Sequence, residues 1–132
     1  MRELNIKTSR RDEMIDITRQ IAALLPELGL MDGAVHIFSP HTTAGITINE
    51  ACDPDVARDM LYYLDKLVRH DDPNYRHAEG NSAAHIKTSL VGPGVLAPVA
   101  NGKLALGTWQ GVFLCEFDGP RNRTVWLRAV SG

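Results

Sequence analysis

The segment VLAPVANGKLALG, residues 95–107, constrains the fold of this 132-residue chain more than any other stretch. Its Asn101-Gly102 pair lies between two apolar runs and favours the two-residue turn in which both residues take positive φ. The segment therefore predicts a β-hairpin, in which Pro98 places the first strand at a sheet edge or a bulge. The segments GVFLCEF and TVWLRAV predict a second hairpin, which turns at Asp118-Gly119-Pro120.

Four earlier segments also have the character of strands: ELNIKT, EMIDI, GAVHIFS and GITINE. For EMIDI the alternative is a helix that begins at Asp12, and we favour the strand because a helix is predicted directly after it. Most strand pairing is expected to be antiparallel. The predicted class is α+β, a single domain over residues 1–132 with a mostly antiparallel sheet and about three helices packed on it.

Two of these helices have clear end signals. The first runs from about residue 18 to residue 28, with Thr18 as its N-cap and Gly29 in the left-handed conformation that ends it. The second begins at Asp53-Pro54, because a carboxylate accepts orphan amide N–H groups and proline is tolerated in the first turn. The predicted buried stripe of the second helix consists of Val56, Met60, Leu64, Leu67 and Val68.

Composition and charge limit the classes of partner. The net charge of −2 gives no general attraction to polyanions, so nucleic acid is not an expected partner. No apolar run approaches the roughly 20 residues that cross a bilayer, so no membrane partner is expected, and the amino terminus lacks the apolar core of a secretion signal. Cys52 and Cys115 form no CxxC pair, and Cys115 is predicted to be a buried apolar thiol. We therefore expect a cytoplasmic protein with reduced thiols.

The segment HAEGNSAAHIKTS, residues 77–89, gathers two histidines, a glutamate and an asparagine around the start of a third predicted helix. Asn81 is its predicted N-cap, and the side chains predicted to face the core are Ala83, Ile86 and Leu90. His77, Glu79 and His85 form a candidate site, because neutral imidazoles bind metals and carry protons near pH 7. The spacing of the two histidines matches no tight helical metal motif, so a solvated polar face explains the cluster equally well.

A second polar cluster lies at residues 40–45, between two predicted strands. Here His41, Thr42 and Thr43 provide donors for an oxyanion on a loop that a rigid sheet supports, although an ordinary turn has equal weight. If the fold brings this loop together with residues 77–81, the two clusters form one pocket.

Several further side chains are candidates for binding a phosphorylated small-molecule substrate. Lys87 and Arg121 or Arg123 have the charge to neutralise a phosphate, although Lys87 also fits a side chain that lies along its helix. Trp109 and Gln110 offer an aromatic wall and an amide, although a buried tryptophan in a turn fits equally well. The candidate substrate-binding residues are Thr42, Thr43, Asn81, Lys87, Trp109, Gln110 and Arg121.

Four blocks carry a resemblance to a known family: HTTAGITINEACDPDV, NYRH, HIKTSLVGPGV and GTWQGVFLCEFDGPR. In this order they resemble the YjbQ family over nearly the whole chain. The resemblance implies a compact α+β subunit, a homotrimer, and a polar pocket near a subunit boundary that contains His41, His77 and His85, with a metal suspected there. Many relatives carry a further histidine where this chain has Ala83, and their stretch matching residues 77–85 is longer, so any ligand set must do without that histidine.

Some members of the YjbQ family are named secondary thiamine-phosphate synthase. The resemblance therefore implies a transferase that joins a pyrimidine diphosphate to a thiazole phosphate with loss of pyrophosphate, as a weak secondary activity. The candidate catalytic residues are His41, His77, Glu79 and His85, with Glu79 as an acid or base. Three histidines favour zinc, whereas pyrophosphate transfer favours magnesium. The alternatives are a hydrolase with a histidine-bound metal and water, and a non-catalytic trimer that binds a metabolite or a metal.

Overall fold

Eight strands and three helices follow one another along residues 1–131, the part of the chain that the computed structural model describes. The helices are α1 (Thr18–Leu28), α2 (Pro54–Leu67) and α3 (Ser82–Val91). The strands are β1 (Arg2–Lys7), β2 (Glu13–Asp16), β3 (Gly33–Phe38), β4 (Ala44–Glu50), β5 (Gly94–Ala100), β6 (Lys103–Leu104), β7 (Gln110–Glu116) and β8 (Asn122–Ser131). The predicted α+β class is confirmed, and so is the strand at EMIDI.

The strands divide between two sheets. The large sheet has the order β1-β8-β3-β5-β6, and the small sheet has the order β2-β7-β4. All the strand pairs within residues 1–131 are antiparallel, as the sequence predicts. The inner faces of the two sheets pack on each other, and α1 closes the space between them. The centre of this core is fully buried and consists of Ile21, Leu25, Val35, Ile37, Ile46, Leu114 and Leu127.

The outer face of the small sheet is covered by α2 and α3. Phe113, Cys115 and Phe117 point to that side and pack with Ala84 of α3 and with apolar side chains of α2. Because β7 is covered on both faces, its sequence is apolar without alternation. Cys115 is the buried apolar thiol that the sequence predicts, and burial raises its pKa to about 12.

The hairpin at Asn101-Gly102 is confirmed. Asn101 has a φ of 54° and Gly102 a φ of 72°, which are the values that its two-residue turn requires. The turn joins β5 to β6, and these strands pair only through Val99 with Leu104 and Ala100 with Lys103. Pro98 lies just outside this ladder, so β5 is an edge strand over most of its length.

The predicted hairpin at Asp118-Gly119-Pro120 is wrong. β7 belongs to the small sheet and β8 to the large sheet, so this connection passes from one sheet to the other. The turn is bonded to the β1–β2 connection instead of closing a ladder: the Gly119 N–H donates to the Arg11 carbonyl at 3.0 Å, and the Thr8 N–H donates to the Arg121 carbonyl at 2.9 Å. These partners lie more than a hundred positions away along the chain, beyond the reach of a local turn signal.

The bounds predicted for α1 are confirmed, but its N-terminus is built differently. Thr18 is the first helical residue rather than the N-cap, and its N–H donates to Asp16 Oδ1 at 2.9 Å. The Thr18 hydroxyl accepts from the Val112 N–H at 2.9 Å, which ties the helix to β7. Gly29 ends the helix in the left-handed conformation, with a φ of 65°, as predicted.

The start of α2 is also as predicted, since Asp53 accepts from the Asp55 N–H at 2.9 Å and Pro54 opens the helix. Its predicted buried stripe is confirmed only at Val68, just after the helix, because none of the residues of α2 itself is buried and Leu67 is 61% exposed. Val56, Met60 and Leu64 of the stripe line a cavity of about 590 Å³ that Leu90 and Val91 of α3 share. No helix within residues 1–131 has the length and apolarity needed to cross a membrane.

The face of α3 that turns inward agrees with the prediction only at Ala83. Its buried residues are Ala83, Ala84, Lys87 and Thr88, whereas Ile86 and Leu90 are exposed. The helix is rotated because the Lys87 ammonium lies between Asp12 at 2.6 Å and Asp65 at 2.9 Å, above the ring of Phe117. Two carboxylates from distant segments thus decide which face is buried.

Candidate functional site

Four strand ends, joined by two chain connections, meet at one edge of the two sheets. Here β3 ends before the loop 39–43, β4 begins, β7 ends at Glu116, and β8 begins at Asn122. The start of α3 joins the same edge because Asn81 Nδ2 donates to Asp118 Oδ2 at 2.8 Å. We call this region the α3 edge, and it contains His41, Asn81, Asp118, Arg121 and the first turn of α3.

His41 is held at the α3 edge through one ring nitrogen. Its Nε2 accepts from the backbone N–H of Thr124 at 2.9 Å. Its own backbone N–H donates to Ser39 Oγ at 3.3 Å, and that hydroxyl donates to the Ala44 carbonyl at 2.7 Å. Burial, and then the positive charge of Arg123, hold the pKa of His41 below its ordinary value of 6.5. The imidazole is therefore neutral at pH 7.

A buried ion pair supports the His41 loop from below. Arg123 is 3% exposed and Glu116 is 0% exposed, and two guanidinium nitrogens of Arg123 donate to the Glu116 carboxylate. Arg123 Nη2 also donates to the Thr43 hydroxyl at 2.8 Å. Burial alone raises the pKa of Glu116, but hydrogen bonds from Arg123, from the Asp118 N–H and from Thr8 outweigh it and hold that pKa low. The charged pair therefore persists inside the fold.

Arg121 lies at the rim of the same edge. Its Nη2 donates to Asp118 Oδ2 at 3.0 Å, and its Nε donates to the Asp118 carbonyl at 2.9 Å. The side chain is 51% exposed, so part of the guanidinium is open to a ligand. Asp118 Oδ2 thus joins Arg121 to Asn81, at the first residues of α3.

The start of α3 carries no side-chain cap. Asn81 precedes the helix as predicted, but its side chain binds Asp118 and makes no capping hydrogen bond, and the first turn contains no acidic residue. Asn81 Oδ1 is buried without a hydrogen-bond partner among residues 1–131. The first amide N–H groups of a helix have no partner inside it and carry partial positive charge, so this helix start favours an anion.

His77 and His85 come together beside the helix start. Their rings are 5.4 Å apart between centroids and meet edge to face. Both line a cavity of about 510 Å³ with Ser82, the first residue of α3. Glu79 Oε1 lies 3.9 Å from His77 Nε2, beyond hydrogen-bond distance. Ala83, in the first turn of α3, is buried and faces the fold.

The three histidines do not form a metal site within one chain. Among residues 1–131, no group of three or more His, Cys, Asp or Glu side chains is placed to hold a metal ion. His41 Nε2 is already occupied by the Thr124 N–H. The ligand set predicted from the sequence is therefore incomplete in a single subunit.

Lys87 differs from both of its predicted roles. The side chain is 2% exposed and neither lies along the helix surface nor reaches the α3 edge with a free charge. Its ammonium is neutralised by Asp12 and Asp65, and its hydrogen bond is the main reason that the pKa of Asp65 is lowered. Lys87 is therefore committed to packing α3 against α2 and the β1–β2 connection.

Trp109 and Gln110 lie at the opposite end of β7 from Glu116. A seven-residue strand spans roughly 20 Å, so they are remote from His41 within one subunit. Trp109 is 62% exposed, and the alternative of a buried tryptophan is wrong. Thr43 is buried and holds the loop through Arg123 and Phe117, whereas Thr42 is exposed at the α3 edge.

Comparison with known proteins gives one consistent assignment. A sequence model of the family described as UPF0047 protein YjbQ-like matches residues 2–132. The chain belongs to the YjbQ family. UPF0047 protein YugU of Bacillus subtilis is 55% identical over 130 residues, covering 98% of each chain. UPF0047 protein MJ1081 of Methanocaldococcus jannaschii is 48% identical over 125 residues, covering 95% of this chain and 90% of that one.

Solved structures of YjbQ relatives share the fold. An uncharacterised YjbQ/UPF0047 protein of Clostridium acetobutylicum has 51% identity and a TM-score of 0.95, covering 98% of this chain and 100% of that one. The conserved hypothetical protein TT1486 of Thermus thermophilus has 44% identity and a TM-score of 0.91, with the same coverage. The names of these relatives state no activity.

Three residues that form or support the α3 edge are not identified by the sequence analysis: Glu116, Asp118 and Thr124. Glu116 carried a signal, because it is a lone carboxylate in the apolar run Val112–Phe117. Such a charge is buried only when it is paired, so a cation from elsewhere in the YjbQ chain was to be expected. The sequence indicates Asp118 only as a turn residue. Thr124 contributes a backbone N–H, for which no side-chain pattern exists.

Proposed function

We propose that this YjbQ protein is a transferase of the thiamine-phosphate synthase type, which binds a small phosphorylated substrate at the α3 edge. The observation that carries the proposal is the uncapped start of α3, which Asp118 joins to Arg121, with His41 held at the same edge of the sheets. A helix start is a ready anion site, and a guanidinium adds charge and directed donors for phosphate oxygens. Asn81 and Asp118 join these elements into one surface.

The reaction requires that this surface stabilise the negative charge of a leaving pyrophosphate. The thiazole nitrogen forms a bond to the methylene carbon of the pyrimidine diphosphate, while the C–O bond breaks and pyrophosphate takes the electron pair. Arg121 and the first amides of α3 would neutralise the charge that develops on the leaving group. The His41 ring would donate one more hydrogen bond. His77 and His85 line the adjacent cavity, where the second substrate has room.

A resident metal does not fit a single subunit. The rings of His77 and His85 supply two neighbouring imidazoles, but the described residues offer no third ligand in place. The rival function, a metal-dependent hydrolase, requires a ligand from a neighbouring subunit, and elemental analysis of protein purified without chelating tags tests it. Stoichiometric zinc with turnover of phosphomonoesters would favour the hydrolase over the transferase.

Assembly as a homotrimer is part of this proposal. The outer face of the large sheet carries a row of ring side chains, with His36 5.6 Å from Phe38 and Phe38 6.0 Å from Trp126. Leu96 on the same face is 61% exposed. The cavity between α2 and α3 is a second, different apolar surface, and two different complementary surfaces build head-to-tail contacts that close into a ring. Light scattering should give three chains for the wild type and one for Leu96→Glu; a monomeric wild type contradicts the assembly.

The transferase is tested by supplying the pyrimidine diphosphate and the thiazole phosphate, and by measuring thiamine phosphate and released pyrophosphate. Arg121→Met should lower kcat/KM about tenfold or more, because a charged hydrogen bond to the leaving group is lost. Arg19→Met, an exposed arginine on α1, is the matched control and should leave the rate unchanged. Tight binding of either substrate without product would identify a binding protein instead, and equal rates for the two variants would remove Arg121 from the site.

A further inference from the structure

The hydrogen bond at His41 determines which ring nitrogen carries the proton. Nε2 accepts from the Thr124 backbone N–H at 2.9 Å. A backbone N–H only donates, so Nε2 carries no proton, and in a neutral imidazole the proton is then on Nδ1. Among residues 1–131 the His41 side chain makes a hydrogen bond only through Nε2, and Nδ1 is not among the fully buried polar atoms that lack a partner, so Nδ1 reaches the surface of this half-buried side chain. Its N–H is therefore accessible to a ligand.

The Arg123 guanidinium supports both the acceptor side and the donor side of the hydrogen bond between Thr124 and His41. On the loop side, Arg123 Nη2 donates to the Thr43 hydroxyl at 2.8 Å and to the Thr43 carbonyl at 3.3 Å, two residues after His41. On the strand side, Arg123 directly precedes Thr124 in β8. If the guanidinium moved, the acceptor ring and the donor amide would be released together.

Glu116 fixes the guanidinium in turn. It accepts from Arg123 Nε at 2.8 Å, from the Thr8 hydroxyl at 2.8 Å and from the Asp118 N–H at 2.9 Å. Because Glu116 and Arg123 are almost fully buried, water has no room to replace either partner. The orientation of the pair is thus set by three segments of the chain, after β1, before β4 and at the β7–β8 turn.

We infer that Glu116 and Arg123 are positioning residues that hold His41 as a neutral ring with its single N–H, on Nδ1, directed to an anionic oxygen of the ligand. The ligand part of this inference rests on the proposed function, whereas the positioning part does not. The arrangement assigns His41 the role of a donor. Acting as a base or a metal ligand through Nε2 would first require that the Thr124 N–H be displaced.

The positioning part is tested on the ligand-free protein by long-range ¹H–¹⁵N NMR of the histidine rings, which reports the protonated nitrogen. The wild type should show His41 as the Nδ1–H form. Arg123→Lys should give a mixture of both forms, because an ammonium cannot hold Glu116 and Thr43 together in the same geometry. Arg128→Lys, an exposed position on the same strand, is the matched control and should keep the wild-type signals.

Two results overturn the positioning part. A wild-type ring protonated on Nε2 excludes the assigned form, and a pure Nδ1–H ring in Arg123→Lys shows that the pair does not position it. If Arg123→Lys fails to fold, Thr43→Val takes its place, because it removes only the hydroxyl contact and keeps the shape of the side chain. Thr43→Val should also give a mixture of the two ring forms. A pure Nδ1–H ring in this variant would likewise show that the pair does not position His41.

The donor part is tested by the binding of inorganic pyrophosphate to two variants of His41. The amide nitrogen of Asn stands near the place of Nδ1, whereas the amide of Gln reaches the place of Nε2. His41→Gln should therefore weaken binding about tenfold more than His41→Asn. The reverse order overturns the donor role. If the wild type binds no pyrophosphate while its ring has the Nδ1–H form, the proposed function fails and the positioning role stands.

Discussion

Two buried ionic clusters of similar chemistry lie in different surroundings in this fold. Glu116 and Arg123 are 0% and 3% exposed, and their hydrogen bonds reach the His41 loop. Lys87 is equally buried, but its partner Asp65 is 46% exposed and also binds Arg11 from the surface. The first cluster is closed to water and supports the α3 edge, whereas the second is open on one side and joins α2 to α3. Both clusters contain ion pairs, but only in the Glu116–Arg123 pair are both partners buried. Burial of both partners therefore distinguishes the pair that supports the site.

The largest effect is expected from Glu116→Gln. The change leaves the buried guanidinium of Arg123 without a compensating charge, and breaking a buried pair in this way costs about 3 to 5 kcal/mol of unfolding free energy. Urea denaturation followed by circular dichroism measures the loss. Glu3→Gln, an exposed position on β1, is the control and should change stability by less than about 0.5 kcal/mol. If Glu116→Gln lowers the unfolding free energy no more than Glu3→Gln does, the stabilising role assigned to this water-excluded ion pair is wrong.

A smaller loss is expected from Lys87→Met. The carboxylates that remain keep Arg11 as a partner, and Asp65 is reached by water, so the loss should be about 2 kcal/mol. The same denaturation experiment measures it, with the exposed Lys66→Met on α2 as the matched control. If Lys87→Met destabilises the chain as much as Glu116→Gln does, the distinction between the two clusters is wrong.

Local signals predicted much of the fold. The bounds of α1, the start of α2 at Asp53-Pro54 and the turn at Asn101-Gly102 all depend on residues within a few positions of one another. Backbone conformation at such places is set by neighbouring side chains, which the sequence displays directly. The same holds for the α3 edge, where the gathering of polar residues near 41 and 81 was visible.

Two predictions of the fold that failed, the inward face of α3 and the β7–β8 hairpin, share a different cause. The inward face of α3 is decided by Lys87 and Asp12, which lie 75 positions apart. The passage of the β7–β8 connection between sheets is decided by Thr8 and Arg121, 113 positions apart. Charged and polar pairs at such separations leave no periodic pattern, so a helix stripe with Ile86 and Leu90 looked apolar enough to be core. The sequence indicates which residue types are available for binding a ligand. It does not indicate which of them, such as Lys87, are instead paired with other side chains inside the fold.

The smallest effect is a dependence of stability on pH through His41. The folded state lowers its pKa below 6.5, so the unfolded chain binds the proton more tightly. Stability is then fully present above pH 6.5 and declines as the pH falls from there toward the folded pKa. Urea midpoints from about pH 8 to about pH 5 measure it, and His41→Asn should flatten this part of the profile. A wild type that gains stability as the pH falls over the same interval would contradict the environment assigned to the ring.

The central claim is that the α3 edge binds the phosphate groups of a small metabolite. A crystal structure of the protein grown with inorganic pyrophosphate tests it most directly. The expected result is pyrophosphate within hydrogen-bond distance of the first amides of α3 and of Arg121, with His41 Nδ1 donating to one of its oxygens. Pyrophosphate bound elsewhere on the chain, or an α3 edge that holds only water at saturating pyrophosphate, would contradict it.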